Sequence, residues 1–172
     1  MGRVDGKIAL VTGGANGMGR SHALLLAREG ATLIVTDMDE KGGKAVVEEI
    51  NDNGGQARFF RHDVSSVPDW ERISQQAKST FGRVDILVNN AGILVFSAVQ
   101  DTSNEDFARV FDVNVKSVFY GTKYILPAMK AAGGGSIVNI SSIYGLIGAP
   151  ATAAYQASKG AVRLLTKSTA VD

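Results

Sequence analysis

Two side chains in this 172-residue chain stand at a spacing that suits proton transfer. Tyr155 and Lys159 are four residues apart. On a helix, positions i and i+4 share a face, which brings an ammonium beside a phenol. A tyrosine in water titrates near ~10. A neighbouring positive charge favours the phenolate and draws that value towards neutrality, the range in which a phenol exchanges a proton with an alcohol. The pair alone equally suits a tyrosine beside a solvated lysine on an open helix face. Its setting adds weight to the chemistry, because no acidic, basic or histidine residue occurs from Ala131 to Ser158. An uncharged, apolar surround lowers the dielectric and strengthens the action of Lys159.

A second constellation lies near the start. Thr12-Gly13-Gly14-Ala15-Asn16-Gly17-Met18-Gly19 follows a short apolar run and opens a helical stretch. Glycines belong there because the backbone must turn tightly and admit a phosphate to the amides of a helix N-terminus. The spacing G-x-x-x-G-x-G departs from the usual dinucleotide pattern G-x-G-x-x-G. Gly14 to Ser21 also spells G-x-x-x-x-G-R-S, a nucleotide-triphosphate loop with Arg20 in the lysine position. A planar guanidinium is a poor replacement for a point charge on terminal phosphates. A glycine-rich turn without a ligand remains a third reading.

Asp37 favours the dinucleotide. It ends the second apolar run, 18 residues beyond Gly19, where an acid takes adenosine ribose hydroxyls. A carboxylate there repels a ribose 2′-phosphate, and Met38 offers no arginine to receive one. The expected cofactor is therefore NAD rather than NADP. The bland alternative is a helix N-cap for Asp37 or Asp39.

These residues need elements to hold them. Apolar runs at 8–11, 32–35, 57–60, 86–88 and 137–140 are mostly continuous, as in parallel strands buried on both faces. Helical stretches at 17–29, 40–52, 67–81, 103–131 and from about Thr152 to the end lie between them. Pro127 is expected to kink or break the fourth, and Trp70 sits on a helix expected to be remote from the site. Alternation of this kind predicts an α/β fold, a Rossmann-like doubly wound parallel sheet. Five units are too few for an eight-unit barrel. In such sheets ligands bind outside the carboxyl ends of the strands. There stand the glycine loop, Asp37, Asp63-Val64, Asn89-Asn90-Ala91-Gly92 and Ser141-Ser142.

Composition narrows the function classes. With 18 basic and 17 acidic residues the net charge is +1, which provides no electrostatic footprint for nucleic acid or an anionic membrane. Cysteine is absent and histidine occurs twice, so disulfides and thiolate chemistry are excluded and no metal site is expected. A reducing cytoplasm is the expected location. A single domain over 1–172 is expected, and because Ala170-Val171-Asp172 carries no cap or glycine stop, the fold is expected to be truncated after its fifth strand and the start of the next helix.

The glycine loop Thr12–Gly19, the Asn89-Asn90-Ala91-Gly92 box, Asn114, Ser142 and Tyr155-x-x-x-Lys159 together resemble the short-chain dehydrogenase/reductases, in that family's order. The resemblance covers essentially the whole chain. Segments such as Leu26-Ala27-Arg28-Glu29-Gly30-Ala31-Thr32 and Ser141-Ser142-Ile143-Tyr144-Gly145-Leu146 are similar to bacterial cyclic-alcohol dehydrogenases of the cyclopentanol type.

The resemblance implies an NAD-dependent oxidoreductase for a secondary alcohol or ketone, with homotetramers as the family's assembly and no nucleic-acid or membrane partner. It implies Tyr155 as acid/base, Lys159 as its electrostatic support and ribose ligand, Ser142 as donor to the substrate oxygen, and Asn114 as holder of a relay water. It implies that Gly13, Asn16, Gly17, Met18, Gly19, Asp37, Asp63, Val64, Asn90, Ala91 and Gly92 line the cofactor. Leu94, Val95, Ile143, Tyr144, Leu146 and Ile147 are expected to form an apolar substrate wall. A binding protein without catalysis, retaining only the fold, is the competing class.

Overall fold

The computed structural model describes residues 2–171, so Met1 and Asp172 of the expected 1–172 domain lie outside the described residues. Five strands, β1 (Ile8–Thr12), β2 (Thr32–Asp37), β3 (Gln56–Arg61), β4 (Ile86–Asn89) and β5 (Ser136–Asn139), form one sheet in the order β3-β2-β1-β4-β5. Every adjacent pair is parallel. Continuous apolar runs are what a strand covered on both faces requires. Ala9, Val11, Leu33 and Val35 pack on one side with Ala23, Val46 and Ile50 of the first two helices. Leu10, Ile34 and Leu87 face the other side, against Trp70, Ile73, Ile125 and Met129.

The covering helices are α1 (Gly17–Arg28), α2 (Glu40–Asp52), α3 (Val67–Phe81), α4 (Asn104–Phe111), α5 (Ser117–Ala131) and α6 (Ala153–Thr169). The sheet order reverses between β1 and β4, so the loops after these strands part to opposite faces and leave a crevice at their carboxyl ends. That crevice receives the glycine loop from one side and Asn90–Gly92 from the other.

One helical expectation needs correction. The stretch at 103–131 is interrupted, but not at Pro127, which lies inside α5 while the helix continues to Ala131. The turn around it is supported from outside, where the Ser74 hydroxyl of α3 donates to the Tyr124 carbonyl at 2.9 Å. The irregularity is a π turn at Asp112–Lys116 joining α4 to α5. The last helix ends at Thr169 with Ala170 as its cap, and Val171 closes back onto the Ser168 carbonyl at 3.1 Å. Among the described residues no helix is long and apolar enough to cross a membrane.

Candidate active site

Thr12, the last residue of β1, joins the two halves of the crevice. Its buried hydroxyl oxygen accepts from the amides of Asn90 and Ala91 at 3.0 and 3.1 Å. The Asn90 carboxamide returns two hydrogen bonds, to the carbonyls of Thr12 (2.9 Å) and Gly13 (3.2 Å). Gly13 takes φ +64°, a left-handed conformation that side chains disfavour. A Cβ there would come within 2.9 Å of the Ala91 Cα, and one on Gly19 would overlap the Gly13 carbonyl. The loop is thus built so that backbone lies on backbone. Asn16 caps α1 without a side-chain hydrogen bond, which leaves first-turn amides turned towards the crevice with the positive end of the helix dipole.

Asp37 ends β2 beside this loop. Its carboxylate accepts from the Ala15 amide through Oδ2 and from the Asp39 amide through Oδ1, both at 3.0 Å. The N-cap of α2 is Asp39, whose side chain accepts from the Gly42 amide. Arg20, the residue in the lysine position of the alternative loop reading, pairs with Glu49 at 2.5 Å and is committed to α2.

The crevice forms a cleft of about 370 Å3 lined by Gly13, Asn16, Met18, Gly19, Asp37, Asp63, Val64, Asn90, Ala91 and Gly92, joined by Met38, His62, Ile93 and Val113. Gly17, with φ +52°, is exposed beyond that lining. A larger hollow of about 660 Å3 opens at the amino end of β1 near Ile8, Phe81, Tyr124 and Pro127. It contains Lys78 and Arg83 but none of the residues expected to do chemistry.

His62 was not expected. A lone histidine beside a strand end carries no spacing signal; its role arises from what folds around it. It is 1% exposed, its Nδ1 lies 3.1 Å from the Thr36 hydroxyl, and its Nε2 has no partner among the described residues. Burial holds its pKa down at about 4. The expectation that Trp70 is remote from the site also needs correction. Its indole Nε1 donates to the Val64 carbonyl at 2.8 Å, and its ring meets His62 edge-on with centroids 4.3 Å apart. The long side chain reaches from α3 to the end of β3, which element spacing alone does not reveal.

Tyr155, Lys159 and Ser142 are not in the cleft lining; α6 presents Lys159 beside Gly92, with Tyr155 one turn earlier. Lys159 is 4% exposed, its ammonium donates to the Ile140 carbonyl at 2.7 Å, and it lies 5.7 Å from the centre of the Tyr155 ring. Burial lowers its pKa to about 8, which favours the neutral amine relative to an exposed lysine. Ser142 opens a short 3-10 turn over Ile143–Gly145, its hydroxyl accepting from the Tyr144 amide at 3.1 Å. The Tyr144 ring stands edge-on to Tyr155, centroids 6.5 Å apart. Ser141 donates instead to the Lys159 carbonyl at 2.8 Å, so it ties β5 to α6. Leu94, Ile143, Leu146 and Ile147 are exposed on this side, with Val95 and Tyr144 half-buried among them.

Gly92, which lines the cleft, lies next to Lys159 and Asn114. A Cβ on it would lie 3.2 Å from Asn114 Oδ1 and 3.4 Å from Lys159 Nζ. Asn114 sits in the π turn, 1% exposed, with its carboxamide paired to both backbone groups of Ile93: Oδ1 accepts at 2.8 Å and Nδ2 donates at 2.9 Å.

A family model described as short chain dehydrogenase matches residues 7–172. Cyclopentanol dehydrogenase of Comamonas sp. (strain NCIMB 9872) is 55% identical over all 172 residues, which span 69% of its own length. The NADP-dependent (R)-specific alcohol dehydrogenase of Lentilactobacillus kefiri is 41% identical over 99% of this chain and 68% of its own. A short-chain dehydrogenase/reductase from Burkholderia phymatum, solved in complex with NAD, superposes with a TM-score of 0.94 at 34% identity. That match covers 98% of this chain and 60% of that one.

Proposed function

This chain belongs to the short chain dehydrogenase family, and on that premise we propose that it is an oxidoreductase moving a hydride between NAD(H) and a secondary alcohol or its ketone. One observation carries the reading. A buried lysine stands beside Tyr155 and next to Gly92, which shares one cleft with Asp37. A protein that only binds a dinucleotide has no use for the tyrosine as an acid/base.

The residues fit a nicotinamide dinucleotide. Glycines pack backbone against backbone at the head of α1, and side chains at Gly13 or Gly19 would fill the approach to its first turn, the place where a pyrophosphate is held. Asp37, with one lone pair of each oxygen already used by an amide, keeps acceptor capacity for two ribose hydroxyls. Its charge disfavours a 2′-phosphate, which supports NAD over NADP. Asp63 and Val64 line the adenine end, while Asn90, Ala91 and Gly92 line the middle of the cleft. When bound, the nicotinamide supplies the hydride chemistry.

The protein's share is orientation and proton handling. Tyr155 holds the proton exchanged with the substrate oxygen, and the Ser142 hydroxyl donates to that same oxygen. The Lys159 ammonium opposes the negative charge that develops on the phenol oxygen and reaches the nicotinamide ribose. Asn114, which lies with Lys159 Nζ beside Gly92, positions a water that carries the proton onward. The apolar side chains of Leu94, Ile143, Leu146 and Ile147 favour a hydrocarbon substrate, in keeping with a cyclic alcohol. We further assign a cytoplasmic homotetramer.

Replacing Tyr155 with Phe in the full-length protein tests the mechanism. Turnover of cyclopentanol with NAD is expected to fall by at least ~10³-fold, the range of a lost acid/base. NADH affinity by calorimetry is expected to change less than about threefold, because little contact area is removed. Near-normal turnover in that variant refutes the assignment.

A further inference from the structure

Ser158 has no assigned part in the chemistry, yet it stands between Tyr155 and Lys159 on the same turn of α6. It is fully buried at 0% exposure. Its hydroxyl donates to the Tyr155 carbonyl at 2.7 Å. A serine has one hydroxyl proton, so with that proton committed its lone pairs are left as acceptors. One accepts from Asn114 Nδ2 at 3.0 Å.

That second bond crosses between elements. Asn114 belongs to the π turn between α4 and α5, not to α6. A π turn departs from the regular i→i−4 ladder, so tertiary bonds fix where its side chain points. The Asn114 carboxamide has three such bonds: two to Ile93 and one to Ser158. The Ile93 pair sets which end of the amide is oxygen. Only the Ser158 bond refers the amide to the helix that carries Lys159. Asn114 Oδ1 and Lys159 Nζ lie 3.2 and 3.4 Å from the Cβ position of Gly92, so the two side chains are neighbours there.

We propose that Ser158 is a positioning residue for the reaction: its hydroxyl clamps the Asn114 carboxamide to α6, so that the π turn and Lys159 keep a fixed relation beside Gly92. The inference deepens the oxidoreductase reading and rests on it. Lys159 is the residue next to Ser158, its ammonium 5.7 Å from the centre of the Tyr155 ring, and the π turn that carries Asn114 also holds the Asp112–Lys116 ion pair. Loss of the clamp leaves the buried Asn114 N–H unpaired and lets the carboxamide drift from the lysine. The site then retains its cofactor contacts but loses the alignment behind Lys159.

A double-mutant cycle in the full-length protein distinguishes this from ordinary structural support. Wild type, Ser158→Ala, Asn114→Ala and the double variant are assayed for NAD-dependent cyclopentanol oxidation from pH 6 to 10, with NADH binding followed by calorimetry. Ser158→Ala is expected to lower kcat about tenfold and to displace the pH midpoint of kcat in the same direction as Asn114→Ala. NADH affinity is expected to stay within about threefold. In the Asn114→Ala background, removing Ser158 is expected to cost no further kcat, because residues acting as one unit are not additive. Ser158→Cys, which keeps the volume but accepts weakly, runs through the same cycle if the alanine variant does not fold. An active wild type with full kcat in the Ser158 variant, or with losses that multiply in the double variant, overturns the clamp alone. A wild type inactive towards secondary alcohols overturns the oxidoreductase reading and the clamp with it.

Discussion

Lys159 is charged at neutral pH in a place that disfavours charge. Its pKa falls from 10.5 in water to about 8 in the fold. The stability contribution is therefore greatest above pH 10.5, declines as pH falls to 8, and leaves a cost of at most about 3 kcal/mol at pH 7. Lys159→Met is expected to raise the urea midpoint at pH 7 while abolishing turnover, a trade of function for stability. A lowered midpoint would show that the Ile140 hydrogen bond outweighs desolvation. His62 works in a neighbouring window. Its folded pKa of about 4 lies below the ordinary 6.5, so stability is fully present above pH 6.5 and declines as pH drops towards 4, by about 3 kcal/mol. Urea unfolding of wild type and His62→Leu between pH 7.5 and 4.5 should reveal a slope that the variant lacks. Asp37→Ser is expected to narrow the preference for NAD over NADP at least tenfold in kcat/KM; an unchanged ratio would detach specificity from Asp37. Tyr155 and Lys159 could be picked out of the sequence because i and i+4 is a local relation. His62 could not, because burial and the Thr36 contact are made by residues distant in the chain.

At the scale of elements, strands and helix starts were legible because their determinants are local. Ser66 and Ser103 cap α3 and α4 through their own side chains, and apolar runs of four or five residues mark the buried strands. The π turn was not, because no residue type in Asp112-Val113-Asn114-Val115-Lys116 announces it. Its register is fixed by the Asn114 bonds to Ile93 and Ser158. Pro127 misled for the complementary reason: a missing N–H is a local signal, whereas the Ser74 support is tertiary. The glycine loop invites a test at this scale. Gly19→Ala forces a Cβ into the Gly13 carbonyl and against the Asn90 carboxamide, so the loop and α1 must separate. NADH affinity is expected to fall at least tenfold, with a loss of about 1–3 kcal/mol of stability from overpacking. Full affinity in that variant would mean that the close packing of loop and helix is not required.

Over the whole molecule, apolar surface is distributed unevenly. Phe119 and Leu164 are exposed, on α5 and α6, beside Val115, Tyr120, Ala161 and Leu165, and Val138 of the edge strand β5 is 45% exposed. Unpaired strand edges and apolar helix faces associate in water. Residues 1–172 are expected to sediment as oligomers at micromolar concentration, and Leu164→Glu with Phe119→Lys to shift them towards monomer. Sedimentation as a monomer without those changes would remove the assigned assembly. Trp70 connects the two scales, since it is the sole tryptophan and packs into the core on one face of the sheet while bonding to the Val64 carbonyl and touching His62. The protein therefore carries a built-in optical reporter. Protonation of an adjacent imidazole quenches indole emission, and a ligand at Val64 perturbs it. One fluorescence signal should thus record acid titration of His62, occupancy of the adenine end and global unfolding, separable by the pH, ligand concentration and denaturant at which each occurs.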